Sequence, residues 1–355
     1  MITLLQLLKF ATDQGASDLH IVAESQPALR VNGRMVRVKT NAFTRDDTRK
    51  LLYSILSDVQ KSRFEEQRDL DFSFDVKNLA RFRANYFMQR GAVSGVFRRV
   101  PVVIPRFEDL GLPPVIGDLT KLHNGMVLVT GPTGSGKSTT IATLIDKINS
   151  ENYGHIVTLE DPIEFVHNHK NCIINQREVG SDTATYKTAM KYLLRQDPDY
   201  CLLGELRDLE TIEAGLITAE TGHLVFATLH TNSAIQTINR IVSVFPGEQQ
   251  ERIRVLLSFT LQGIISQRLL PSLQGGRVIA LEFLLLTPSI RHLIRENKLH
   301  QIAGMMQVGQ ENTGMVTMNQ SLVSLLVKRK IDIKTAFAAT PEPEQLDQML
   351  KKAGV

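Results

Sequence analysis

Residues 131–139 read Gly131-Pro132-Thr133-Gly134-Ser135-Gly136-Lys137-Ser138-Thr139, a G-x-x-x-x-G-K-[ST] spacing that phosphate chemistry accounts for position by position. Glycines let backbone N–H groups close on phosphate oxygens with no Cβ in the way. The positive end of a helix starting there adds to the pull. Lys137 is placed to reach the β- and γ-phosphates, and the Ser138 hydroxyl to hold Mg²⁺. The apolar run GMVLVT before the motif and STTIATLIDKI behind it supply the strand and the helix that this chemistry needs. Binding of a nucleoside triphosphate with Mg²⁺ follows.

Hydrolysis asks for more: a carboxylate near the metal, a base or water-positioning group, and cations for the charge that grows in the transition state. The strand YCLLGE ends in Glu205, where a second-strand acid meets Mg²⁺ through water. The strand IVTL runs into Glu160, Asp161 and Glu164 at its carboxyl end, where ligands of open α/β sheets bind. Three such carboxylates repel unless a cation or the proton of a bound water lies among them; a solvated acidic loop is the alternative. The run TGHLVFATLHT carries His223 and His230 at its two ends, and His230 falls at the carboxyl end, where a side chain can sense the γ-phosphate. Taken alone, a strand-end histidine is more often a packed or solvated residue than a functional one. His167 and His169 have no further ligand at metal spacing and read as surface residues, so zinc is not expected.

Arginines supply the remaining cations. Arg83 and Arg98 lie on successive strands, and a two-residue turn at Arg90-Gly91 puts them directly opposite each other. Like charges in that position destabilise a sheet, so the pair makes sense with an anion nearby. Arg81, Arg90 and Arg99 are of the same kind but read as solvated.

The elements that must position these groups fall into two sets. Residues 1–100 open with an amphipathic helix and continue as strand, Asn32-Gly33 turn and strand. A helix follows behind a Thr44/Asp47 capping box, with Leu51, Leu52, Ile55, Leu56 and Val59 at helical spacing. Period-two alternation over 69–99 gives further strands. This is the pattern of a small antiparallel α+β domain, and the proline-rich stretch 101–114 reads as a linker. From 115 onward, apolar runs at 126–130, 156–159, 200–203 and 224–228 alternate with helical patterns, which predicts an α/β domain with a mostly parallel sheet. Beyond Pro246 the pattern reads as helical, including RIRVLLSFTLQGIISQRLL and SIRHLIREN.

Composition narrows the classes. At 355 residues, 43% hydrophobic and 22% charged, the chain reads as a folded, soluble protein of about two domains, not a disordered or fibrous one. Forty-one basic against 37 acidic side chains leave +4, and without an aromatic stacking run this argues against a nucleic-acid motor. Cys172 and Cys201 are too far apart for a zinc knuckle and fit a reducing, cytosolic setting. The amino terminus lacks a basic region before its apolar stretch, so no signal peptide is expected, and no transmembrane segment is expected elsewhere.

Read in order, the motifs GASDLHI, RFRAN, GPTGSGKST, LEDPIEFV, QREVG, GELRDLETI and AETGHLVFATLHT resemble those of the secretion ATPase superfamily. Its members include pilus retraction, pilus assembly and type II secretion motors. The resemblance implies a PAS-like N-terminal domain over 1–100, a RecA-like P-loop ATPase domain over 115–355, and a homohexamer with nucleotide between domains. It implies ATP as the nucleotide and Glu164 as general base, supported by Glu160 and Asp161. It further implies Glu205 as metal-side acid, Arg83 and Arg98 as arginines reaching the phosphates, and His223 and His230 as a histidine box. The retraction branch carries an AIRNLIRE helix; here Ser289-Ile290-Arg291-His292-Leu293-Ile294-Arg295-Glu296 keeps six of its eight residues. That branch implies a motor at the cytoplasmic face of the inner membrane, acting on a membrane platform protein and, through it, on pilin. Assembly members are usually longer and many carry a four-cysteine zinc module, which favours retraction; an accessory retraction motor is the nearest alternative, and a catalytically dead subunit is disfavoured by the intact Lys137, Glu164 and Glu205.

Overall fold

Alternating apolar and polar side chains between residues 18 and 99 build one six-stranded antiparallel sheet in the computed structural model, which describes every residue except Met1, Asn32, Val102, 309–312, Gly354 and Val355. The strands are β1 (Asp18–Ile21), β2 (Ala28–Val31), β3 (Arg34–Arg37), β4 (Asp69–Val76), β5 (Ala80–Gln89) and β6 (Ala92–Arg99), in the order β3-β2-β1-β6-β5-β4. One face is apolar. Leu19, Ile21, Ala84, Tyr86 and Phe97 share a core with Leu4, Leu7 and Leu8 of α1 (Leu4–Asp13), Leu51 and Leu52 of α2 (Arg45–Tyr53) and Phe64 of α3 (Asp58–Gln67). All three helices begin on capping boxes, Thr3 with Gln6, Thr44 with Asp47 and Ser57 with Gln60.

The third box corrects the single helix expected over 44–59. The chain leaves α2 at Ser54 and restarts at Asp58 because Ser57 caps a new helix, and Val59, counted on the apolar stripe, is 79% exposed. The turn at Arg90-Gly91 has φ of 51° and 76°, as a two-residue hairpin of the primed type requires. Arg83 therefore stands directly opposite Arg98. β2 and β3 pair from Ala28↔Arg37 to Val31↔Arg34; Asn32 of the expected turn and Val102 of the linker lie outside the described residues.

The second sheet has seven strands in the order β13-β12-β7-β11-β10-β8-β9, from β7 (Gly125–Thr130), β8 (His155–Glu160), β9 (Ile173–Glu178), β10 (Tyr200–Leu203), β11 (Leu224–Leu229), β12 (Leu261–Pro271) and β13 (Arg277–Leu285). The first six by position from β9 to β12 run parallel, and β13 returns antiparallel along the edge. The four expected strands are present as β7, β8, β10 and β11. Helices follow as α4 (Pro114–Asp118), α5 (Lys137–Glu151), α6 (Tyr186–Leu193), α7 (Leu209–Glu220), α8 (Ala234–Ser243), α9 (Gln250–Thr260), α10 (Pro288–Arg295), α11 (Ile302–Val308), α12 (Met318–Val327), α13 (Ile333–Ala339) and α14 (Pro343–Ala353). Ile141, Leu144, Ile145 and Ile148 of α5 cover one face of the sheet against Val127, Val129 and Phe226. On the other face Met126, Leu128 and Val225 meet Leu216 of α7, Ile238 of α8 and Leu257 of α9. The chain thus has the expected fold class, a mostly parallel α/β P-loop unit that follows a small α+β unit in sequence.

The helical reading beyond Pro246 is half right. Helix α9 stops at Thr260, and LQGIISQRLL becomes β12 beside β7, with the apolar 278–286 run forming its hairpin partner. A strand buried on both faces is apolar throughout, so period cannot distinguish it from a buried helix. On β13 Glu282 accepts the backbone N–H groups of Ala234 and Met318, at the starts of α8 and α12.

Contacts divide the chain into one unit of Met1–Val103 with Pro162–Val166 and another of Ile104–Asp161 with His167–Val355. The excursion of Pro162–Val166 into the first unit is invisible to a sequential division at the linker. His167, just past it, is no surface residue: it is 8% exposed, and burial pushes its imidazole down to about 4. Its folded value lies below the ordinary 6.5, so the neutral form contributes stability above pH 6.5 that is lost as pH falls through about 4. At full protonation that difference corresponds to about 3 kcal/mol. His167→Gln is expected to flatten the acid side of the stability curve over this window, read by denaturant melts at pH 7, 5.5 and 4.

Candidate functional site at the carboxyl edge of the parallel sheet

The phosphate loop is shaped by what lies behind it. Gly131 has φ of 141°, and a Cβ there would sit 2.3 Å from the Gln267 carbonyl oxygen, so no other residue fits. Gln267, on β12, donates Nε2–H to the Ser135 carbonyl at 2.8 Å, and Ser266 pairs its hydroxyl with Thr130 at 2.7 Å. The loop is therefore fastened to the neighbouring strand on both sides of its turn.

Helix α5 begins on the loop without a side-chain cap, because Gly136 occupies the N-cap position in the left-handed region. Helices α6, α7, α8 and α10 in the same unit are capped by Thr185, Asp208, Ser233 and Thr287. The N–H groups of α5 are left for an anion, where the helix dipole favours one. The buried Ser135 hydroxyl has no hydrogen-bond partner among the described residues, a second sign of a phosphate cradle.

Lys137 is buried and donates to the Gly131 and Pro132 carbonyls at 2.8 and 3.1 Å. Burial pulls its ammonium below the ordinary lysine value, while Glu205 pulls it back up. His230 Nδ1 lies 3.5 Å from Lys137 Nζ, and His230 Nε2 lies 3.4 Å from Glu205 Oε1. Arg207 Nε donates to Glu205 Oε2 at 2.7 Å, and its Nη1 is 3.7 Å from Asp161 Oδ2. The bond to Glu205 is the first cause that raises the guanidinium above its ordinary value. A continuous line of polar and charged side chains, Lys137, His230, Glu205, Arg207 and Asp161, thus spans the ends of β7, β11, β10 and β8. The Glu205 loop is held by Thr228, whose hydroxyl donates to the Gly204 carbonyl at 2.5 Å, and by Gly204 N–H to the Leu159 carbonyl at 2.8 Å.

Lys137, Glu205, Asp161 and His230 are accordingly brought together. Glu160 is at the same edge but turned inward, accepting from the Thr158 hydroxyl at 2.7 Å and from Gln176 Nε2 at 3.3 Å. His223 stands at the amino end of β11, against the Thr218 carbonyl, and the strand separates it from His230 by about 20 Å. It is not part of this cluster. Glu164 lies in Pro162–Val166, and it shares the first unit with Arg83 and Arg98. Gln267 and Arg207 were not foreseen. Gln267 lay inside a segment read as helix, whereas the Glu205-x-Arg207 spacing, an acid and a base two residues apart after a strand, was a usable signal.

A Mg²⁺ ion would find fitting donors here. Ser138 sits in the first turn of α5 with a hydroxyl that makes no hydrogen bond among the described residues, and Glu205 faces the same loop.

A profile for type II/IV secretion system proteins matches residues 2–278. The chain belongs to that family. It is 47% identical over 339 residues to the type IV pilus retraction ATPase PilT of Pseudomonas aeruginosa, covering 96% of this chain and 98% of that one. It is 44% identical to a twitching motility protein of Neisseria gonorrhoeae, over 91% and 87% of the two chains. Its fold superposes on a crystal structure of the pilus retraction motor PilT with bound ADP at a TM-score of 0.94, with 50% identity and 98% and 100% coverage. Within this family fold, the Gln267 bond to the loop is a local support that can be removed singly. Gln267→Ala is expected to cost about 1–3 kcal/mol of loop order, roughly tenfold in ADP affinity by titration calorimetry; unchanged affinity would remove Gln267 from the site.

Proposed function

We propose that this protein is the ATP-hydrolysing motor of type IV pilus retraction. The observation that carries the reading is the similarity to a retraction ATPase over 96% of this chain and 98% of that one, together with an intact and pre-shaped phosphate site. The loop 131–136 and the first turn of α5 hold the phosphates, and Lys137 exchanges its carbonyl partners for phosphate oxygens. Ser138 and Glu205 would hold Mg²⁺, which would supply positive charge against the triphosphate. His230 touches both Lys137 and Glu205, so it reports to one what occupies the other. Glu164 activates the attacking water. Glu160, buried four residues earlier in the chain, supports the edge of the sheet, and Asp161 orients Arg207. Arg83 and Arg98, on a unit that lacks the P-loop, stabilise transition-state charge within a homohexamer.

No helix among the described residues is long and apolar enough to cross a membrane. The motor is read as sitting at the cytoplasmic face of the inner membrane, where it works on a polytopic platform protein and withdraws pilin from the fibre base. No nucleic-acid partner is expected.

Glu205→Ala and Glu164→Ala are expected to lower ATP turnover by roughly 10²–10³-fold while nucleotide binding persists. Unchanged turnover in either variant would show that residue's role to be misassigned. Deletion of the gene, followed by microscopy of surface pili, tests the biological reading: excess, non-retracting pili support it, and loss of pili would replace it with assembly.

A further inference from the structure

Arg98 has one side-chain partner among the described residues, Asp18. In the first sheet Asp18 pairs with Arg30 on one side and with Arg98 on the other, and Arg98 pairs with Arg83. Directly opposed residues share a face, so Arg30, Asp18, Arg98 and Arg83 form one line across β2, β1, β6 and β5. Three cations stand in this line with a single carboxylate.

That carboxylate is 4% exposed, and each of its oxygens is engaged. Oδ1 accepts Arg98 Nε–H at 2.8 Å; Oδ2 accepts the Ser17 hydroxyl at 2.7 Å and lies 3.8 Å from Arg30 Nε. Burial pushes its pKa up, yet the Ser17 hydroxyl and Arg98 together hold it below the ordinary aspartate value. Asp18 is therefore a fixed anion, not one that comes and goes near neutral pH.

What it grips on Arg98 is informative. The bond is made through Nε alone, near the root of the guanidinium, while the Arg98 side chain is 67% exposed. The Nη1 and Nη2 groups, with four N–H donors, have no partner among the described residues. An arginine held this way is aimed and still unspent. Arg83, next in line, has no ion pair among the described residues, so without Asp18 the two guanidiniums would face each other with only repulsion to set their directions.

We infer that Asp18 is a positioning residue for ATP hydrolysis: it clamps Arg98 by Nε so that the outer edge of the guanidinium is presented, ready-ordered, to the phosphates. This rests on the proposed role of Arg98. An arginine that acts on charge developing in the transition state affects kcat more than KM, and a small loss of aim is enough to cost about 10- to 100-fold.

The test is steady-state ATPase kinetics of the full-length assembled protein, at a temperature well below the melting point of each variant. Asp18→Asn is expected to lower kcat by about 10- to 100-fold with KM changed by less than about threefold. Combined with Arg98→Ala it should do no further harm, because the clamp has nothing left to hold. Arg98→Lys, which keeps the charge on an exposed side chain but lacks Nε, should fall to within about threefold of Arg98→Ala and remains informative if Asp18→Asn fails to fold. Wild-type kcat in Asp18→Asn, additive losses in the double variant, or full activity in Arg98→Lys would overturn the clamp while leaving the function intact. Wild-type turnover in Arg98→Ala would overturn the role of Arg98 itself and the clamp with it.

Discussion

The phosphate loop depends on a backbone that its own side chains, Lys137 apart, do not hold. Six of its residues lie between the end of β7 and an uncapped helix, with Gly131 and Gly136 in conformations closed to other residues. What fixes them is the neighbouring strand. Because β12 runs parallel to β7 with Ser266 opposite Thr130, the next residue, Gln267, arrives where its carbonyl crowds Gly131 and its amide reaches Ser135. Strand register is the quantity on which the site is built. The same register places the ends of β8, β10 and β11 side by side and strings Asp161, Glu205 and His230 out from Lys137.

Much of this was legible in the sequence for definite reasons. A G-x-x-x-x-G-K-S run between a strand and a helix leaves little freedom of interpretation, and acids or a histidine directly after an apolar run fall at the carboxyl edge of a parallel sheet whatever the strand order. The opposition of Arg83 and Arg98 followed from the two-residue turn alone. Where reading failed, the missing information was tertiary. Gln267 was hidden because β12 is covered on both sides and carries no period. The inward turn of Glu160 depends on Gln176 of β9, a strand that the apolar pattern did not show. The burial of His167 follows from no local pattern, and Pro162–Val166 joins a unit whose residues otherwise end about sixty positions earlier.

The arginine line in the first sheet shows how a local violation carries meaning. Cross-strand like charges are avoided where stability alone is selected. Here one buried aspartate neutralises only part of the line, and the remainder faces outward. A sheet that kept its apolar face conventional, with Leu19, Phe97 and Tyr86 in a well-filled core, has concentrated its departure from the rules on the other side.

Glu282 gives the β12–β13 hairpin a mechanical character. The two strands share nine paired positions, from Gly263↔Leu285 to Pro271↔Arg277. At one level of this hairpin Ser266 faces Glu282, which grips the first turns of both α8 and α12; one residue further along, Gln267 grips the phosphate loop. The hairpin is thus a strut with the loop pinned to one rail and two helices pinned to the other. A loop fastened to such a strut cannot relax alone: the same short length of backbone that senses phosphate also bears the helices that follow His230 and the helices at the carboxyl terminus.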